Sequence, residues 1–109
     1  MMSGSGGGGG GGSFQSEEIA CDRLQFETTI SSPNPVVIAL LQVGSVLDVT
    51  VQGGATNTIV LVFQGTAAGG IVSPKALRVR ECIAAGTIYK ANVIGMRGPV
   101  VTVRIVPVP

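Results

Sequence analysis

Hydrophobic and polar positions along this chain fall into short blocks with two periods. Leu24, Phe26, Thr28 and Ile30 alternate with Gln25, Glu27 and Thr29, the period-two pattern of a half-buried strand. Ser31-Ser32-Pro33-Asn34-Pro35 ends that strand. Asn34 is a good N-cap and Pro35 suits a first helical position, so one or two helical turns are predicted over 36–41, with Val37, Leu40 and Leu41 on one face. Gly44 closes the segment. Alternation returns over 46–52, where Leu47, Val49 and Val51 oppose Asp48, Thr50 and Gln52. A turn at 53–57 leads into the continuous apolar run 58–63, read as a central strand.

The second half repeats this economy. A short strand over 68–72 contains Gly69-Gly70, which signals a bulge or a close backbone approach. Ser73 and Pro74 then open a helix whose apolar positions Ala76, Val79 and Ile83 follow helical spacing, and Gly86 stops it after Ala85. Two last strands, 87–94 and 100–106, flank Gly95-Met96-Arg97-Gly98-Pro99. The predicted order is β-α-β-β-β-α-β-β. It describes a mainly β domain with two short helices, a small six-stranded antiparallel barrel whose open ends the helices plug.

Composition supports that reading and narrows the chemistry. Of 17 glycines among 109 residues, eight precede residue 13, so 1–16 is a Gly/Ser-rich low-complexity tail, read as disordered, and 17–109 is a single small domain. Val, Ile and Thr dominate the domain, and such β-branched side chains favour pleated surfaces. The chain has no histidine and no tryptophan. Nucleophile–histidine pairs and His-containing metal sites are therefore excluded, and Cys21 and Cys82 alone cannot complete a four-ligand zinc site. No catalytic residue, metal or cofactor is assigned, and an enzyme is not expected. No apolar run reaches the roughly 18–20 residues a membrane span needs, and the start lacks the basic and apolar regions of a signal peptide. A cytoplasmic protein with two free thiols is the expectation, with a Cys21–Cys82 disulfide as the minority reading.

Net charge is +1, unevenly spread. Glu17, Glu18, Asp22 and Glu27 outweigh Arg23 before residue 28, whereas Lys75, Arg78, Arg80, Lys90, Arg97 and Arg104 all lie between 75 and 104. Either that basic half meets an anionic partner, or the acidic lead-in lies across it.

The stretch Gly70-Ile71-Val72-Ser73-Pro74, with Leu77, Ile83 and Gly86-Thr87-Ile88-Tyr89-Lys90-Ala91-Asn92-Val93, resembles the HIRAN family over roughly 43–106. The resemblance implies a small six-stranded barrel with two helices, found alone in bacteria and fused to DNA-remodelling enzymes in eukaryotes. The family's usual acidic-Pro-x-Asn-x-x-Asp run is replaced here by Gln52-Gly53-Gly54-Ala55-Thr56-Asn57, and aromatic residues for stacking bases are scarce. Single-strand DNA-end binding is therefore not carried onto particular residues, and the implication is confined to the fold.

The terminal hairpin supplies the one concentrated candidate surface. If Ile94 pairs with Val100, then Tyr89, Ala91 and Val93 meet Ile105, Val103 and Val101 on the core face. The other face then sets Asn92 opposite Thr102 and Lys90 opposite Arg104. Like charges so opposed call for an anion or carboxylate between them. One reading is a phosphate or nucleic-acid contact surface of Lys90, Arg104, Asn92 and Thr102, with Arg97, Arg78 and Lys75 at its margins. The other has Lys90 and Arg104 solvated, or meeting Glu27 or Asp48 from another strand. Gly53-Gly54 and Gly69-Gly70 lack phosphate-loop spacing and read as turn or bulge residues. Glu17-Glu18 reads as solvated linker charge, Cys82 as a small buried hydrophobe, and Tyr89 and Phe63 as core.

Two functions remain in view. The first is a non-catalytic, oligomerising binding module that contacts nucleic acid or a phosphate-bearing ligand through its basic half. The second is an assembly or protein-interaction subunit without a nucleic-acid role, since a domain this small cannot easily bury 45% hydrophobic residues.

Overall fold

A computed structural model describes residues 19–53 and 58–109. A single 3-10 turn, Cys21–Arg23, leads into β1 (Phe26–Thr29) and α1 (Pro35–Ile38). Strands β2 (Val46–Gln52), β3 (Thr58–Phe63) and β4 (Thr66–Gly70) follow, then α2 (Ala76–Ala84), β5 (Ile88–Arg97) and β6 (Val100–Val108). The chain order matches the one the hydrophobic pattern predicts. All pairings are antiparallel in one sheet ordered β1-β6-β5-β2-β3-β4. The expected turn at 53–57 lies, from 54 onward, outside the described residues, as do the tail and Glu17-Glu18.

The sheet curls into a half-barrel and is not the closed barrel the pattern suggested. Its edge strands meet at one point, where Ser31 and Gly70 exchange backbone hydrogen bonds of 2.7 and 2.9 Å. Closure stops there because both edge strands are short and β4 ends at Gly70. The apolar run of β3 is likewise not central: it lies between β2 and the edge strand β4.

Asn34 seals part of this seam. Its backbone N–H donates to the Ala68 carbonyl at 2.8 Å and its Nδ2 to the Ala67 carbonyl at 3.2 Å, while its Oδ1 accepts from the Val36 N–H at 3.1 Å. One residue thus caps α1 and covers backbone acceptors of an edge strand that would otherwise invite pairing. Gly69 is required beside it. At φ +151°, a Cβ here would lie 2.5 Å from Ile30 Cγ2 and 2.7 Å from the Ser31 carbonyl oxygen. The β4 bulge falls one residue earlier, where Leu61 pairs with Gly69 and Val62 with Ala67, leaving Ala68 as the extra, fully buried residue.

The core lies on the concave side. Leu47 and Val49 from β2, Ile59 and Leu61 from β3, Tyr89, Ala91 and Val93 from β5, and Val101, Val103 and Ile105 from β6 form one buried cluster with Leu24, Ile30 and Val37. The α1 expectation needs one change: Val37 and Leu41 are buried, but Leu40 is 64% exposed. The helix is a single turn ending at Ile38, so its hydrogen bonds tighten to Leu40 N–H→Val37 O and Leu40 rotates off the shared face.

The hairpin register also differs from the expected one. Asn92 pairs with Arg104 and Lys90 with Val106, because β5 runs on to Arg97 and the turn shrinks to Gly98-Pro99. A bulge at Ile94 then shifts the ladder by one residue. The combined displacement is two residues, so Tyr89, Ala91 and Val93 still face the core.

The lead-in is fastened to α2. Cys21 and Cys82 form a disulfide with Cα atoms 5.4 Å apart, 61 residues apart in sequence, so the expected free thiols are absent among the described residues. Helical spacing puts Cys82 on the buried side of α2 with Val79, and the turn at 21–23 places Cys21 over it. Sequence separation hid this proximity. Around the bridge, Arg78 donates from Nε and Nη2 to the Ile19 carbonyl at 3.2 and 3.0 Å, and Tyr89 Oη donates to the Cys21 carbonyl at 2.7 Å. The α2 start is also later than expected. Ser73 Oγ accepts from the Lys75 N–H at 3.1 Å, but Pro74 and Lys75 form a turn and regular helix begins at Ala76.

Candidate functional site: the outer face of the sheet

Strand alternation that buries Leu47, Ala91 and Val103 sends Asp48, Lys90, Asn92 and Arg104 to the convex face. Register then decides which charges meet. Asp48 stands opposite Lys90 across β2 and β5, and their side chains form an ion pair. Glu27 stands opposite Arg104 across β1 and β6, with Arg104 Nη2 2.7 Å from Glu27 Oε2. Lys90 and Arg104 are not opposed, as an anion-bridged pair would require. Each basic side chain instead has a carboxylate as its direct cross-strand neighbour, the favourable arrangement on a sheet face.

The other candidate residues are dispersed. Asn92 pairs with Arg104 and with Val46, so it adjoins the Glu27–Arg104 pair. Thr102 pairs with Thr29 on one side and Gly95 on the other. Arg97 sits at the hairpin end, next to the Gly98-Pro99 turn. Arg78 is occupied by the Ile19 carbonyl and by Glu81, whose Oε1 lies 3.3 Å from Nη1. Lys75 lies over the Phe26 ring, its Nζ 5.7 Å from the centroid, a cation–π contact. Of the acidic lead-in, Glu27 meets Arg104, whereas Arg78 is met by the backbone carbonyl of Ile19; Glu17 and Glu18 lie outside the described residues.

Apolar residues surround the Asp48–Lys90 pair. Val62 is the β3 partner of Asp48, and Val106 the β6 partner of Lys90. One step along the same face, Val60 partners Thr50 and Ile88 partners Val108. Ile88 is 61% exposed and Val108 39%, with Val46, at 52%, on the far side of Asp48. Sequence reading singled out the cations and, of these apolar residues, noted only Val106, with Val100, on the outward side of the last strand. A continuous apolar run such as 58–63 does not reveal that its even positions face outward, because that depends on the strand's place near a sheet edge.

The buried ionisable group of note is Tyr89. Burial pushes its phenol above the ordinary value of 10.0, opposed by the nearby Arg78 charge and reinforced by Asp22. No polar or charged residue is otherwise buried among the described residues, and no three of His, Cys, Asp and Glu there gather as a metal-ligating group. None of the described helices is long and apolar enough to cross a membrane. No family model, curated protein or solved structure matches the chain.

Proposed function

We propose that this chain is a non-catalytic assembly module that pairs with a second copy of itself through the convex face of its sheet. The observation that carries this reading is the neutralisation of Lys90 by Asp48 and Arg104 by Glu27, on a face that also carries exposed Val46, Ile88 and Val108, half-buried Val60, Val62 and Val106, and the polar Thr50 and Asn92. A phosphate surface needs cations free to replace counterions, and here the two central cations already have carboxylate partners. The same balance suits a like partner. Equal numbers of opposed charges create no repulsion across a two-fold contact, and the ion pairs can exchange partners there. Apolar side chains around a paired polar centre give the burial that such an interface requires.

The half-barrel remains compatible with the small-barrel fold of the HIRAN-like proteins, and that kinship is part of the proposal at the level of fold alone. A cytoplasmic setting is part of it too. There a disulfide is ordinarily transient or redox-sensing rather than permanent. Size-exclusion chromatography with light scattering, at low and high salt and with and without oligonucleotide, tests the reading. A salt-independent dimer indifferent to oligonucleotide is expected. A monomer whose mass or elution changes only with oligonucleotide at low salt overturns it in favour of a nucleic-acid module.

A further inference from the structure

The Cys21–Cys82 bridge does more than join two distant segments, because it is the central fastening of a unit set apart from the sheet. That unit comprises the lead-in, residues 19–24, and α2. Its internal links are the disulfide and the two Arg78 hydrogen bonds to the Ile19 carbonyl. Its links to the sheet are side-chain packing, with Cys21, Ala76 and Ile83 partly buried against the core, and the Lys75–Phe26 contact. Only Val79 and Cys82 of α2 are fully buried, and from the lead-in only Leu24, with the Tyr89 hydroxyl bound to the Cys21 carbonyl. One of the two buried α2 side chains is thus half of the bridge itself. By contrast, the sheet is held by a continuous ladder from β1 to β4 and by buried residues on five of its own strands.

We propose that the disulfide is a redox-operated latch: its reduction releases the lead-in and α2 as one unit and uncovers the end of the core around Tyr89, while the six-stranded sheet stays folded. The reductant is a dithiol. Its thiolate attacks the Cys21 sulfur, because Cys21 is partly exposed whereas Cys82 is fully enclosed. The Cys21–Cys82 bond breaks, Cys82 leaves as thiolate and takes a proton, and a mixed disulfide forms at Cys21. The second thiol of the reductant, as thiolate, displaces Cys21, which leaves as thiolate and is protonated. Two electrons and two protons thus pass to the protein and the dithiol ends as a cyclic disulfide. The latch favours the released state only when the bridge is open, since the lead-in is then held without a covalent link, by the Arg78 and Tyr89 hydrogen bonds and the burial of Leu24. Segments with few buried contacts open locally at lower free energy than core strands. This inference does not depend on self-association, and its test reads a different quantity.

Hydrogen exchange followed by mass spectrometry on the full chain, oxidised and then reduced with dithiothreitol, tests it, with alkylation verifying two free thiols. Peptides covering 19–25 and 76–87 are expected to exchange about tenfold or more faster after reduction, with those from 88–108 little changed. The Cys21→Ser/Cys82→Ser double variant is expected to match the reduced protein without reductant. Tyr89 gives a second readout, being the single tyrosine in a chain without tryptophan. Its absorbance titration is expected to fall toward that of a free phenol on reduction while the far-ultraviolet strand signal persists. Unchanged exchange in the lead-in and α2 with both thiols free overturns the latch. So does faster exchange throughout the sheet, which would make the bridge a staple of the whole fold.

Discussion

Asp48 and Lys90 are direct cross-strand neighbours on the convex face and form an ion pair, ringed by Val62 and Val106. Both side chains are substantially exposed, so solvent screens the pair, and exposed pairs of this kind contribute about 0–1 kcal/mol. Charge reversal by Lys90→Glu places like charges opposite each other and is expected to lower stability by no more than about 1 kcal/mol. Adding Asp48→Lys to make the swapped pair is expected to restore it. Urea denaturation of the two variants and the parent checks both outcomes. If Lys90 served an anionic ligand instead, restoring the pair would leave a binding defect in oligonucleotide titrations; none is expected.

The seam between β1 and β4 depends on a residue without a side chain. Gly69→Ala is expected to destabilise the protein by about 1–3 kcal/mol, the usual scale for local strain of this kind. The introduced Cβ meets Ile30 and the Ser31 carbonyl on a backbone at φ +151°. Gly53→Ala, where a Cβ would meet nothing within 4 Å, is expected to change stability by about 0.5 kcal/mol or less. Thermal denaturation of the two variants separates crowding at the seam from a general cost of losing glycine.

Tyr89 ties the lead-in to β5. Tyr89→Phe removes the hydrogen bond to the Cys21 carbonyl and is expected to cost about 0.5–1.5 kcal/mol. The phenol also gives the fold an alkaline dependence. Burial raises its folded-state value above the 10.0 of the unfolded chain, so folding favours the protonated form. The associated stability is fully present below pH 10 and is lost as pH rises through the raised value. Denaturation midpoints of the parent are expected to fall across that alkaline range, and those of Tyr89→Phe to fall less.

Much of the fold was legible because period-two alternation, Asn34-Pro35 and Gly86 each carry a local mechanism. What was not legible arises between segments. The Ile94 bulge and the two-residue turn at Gly98-Pro99 moved the hairpin register by two. That kept every core residue in place yet separated Lys90 from Arg104. The partners of those cations, Asp48 and Glu27, were among the possibilities the sequence left open, but only strand order brings β2 beside β5 and β1 beside β6. The Cys21–Cys82 bridge was hidden for a similar reason: at a sequence separation of 61 the fold of the intervening chain decides whether two thiols meet, and spacing alone carries no such information.

The central claim is that the convex face joins two copies of this chain. Light scattering coupled to size-exclusion chromatography on the parent and on Ile88→Lys is its most direct test. Ile88 is 61% exposed beside Val108, so a lysine there leaves the core intact while placing an unpaired charge on the face. The account predicts a salt-independent dimer for the parent and a folded monomer for Ile88→Lys. A monomeric parent, or a dimer that survives the substitution unchanged, would contradict it.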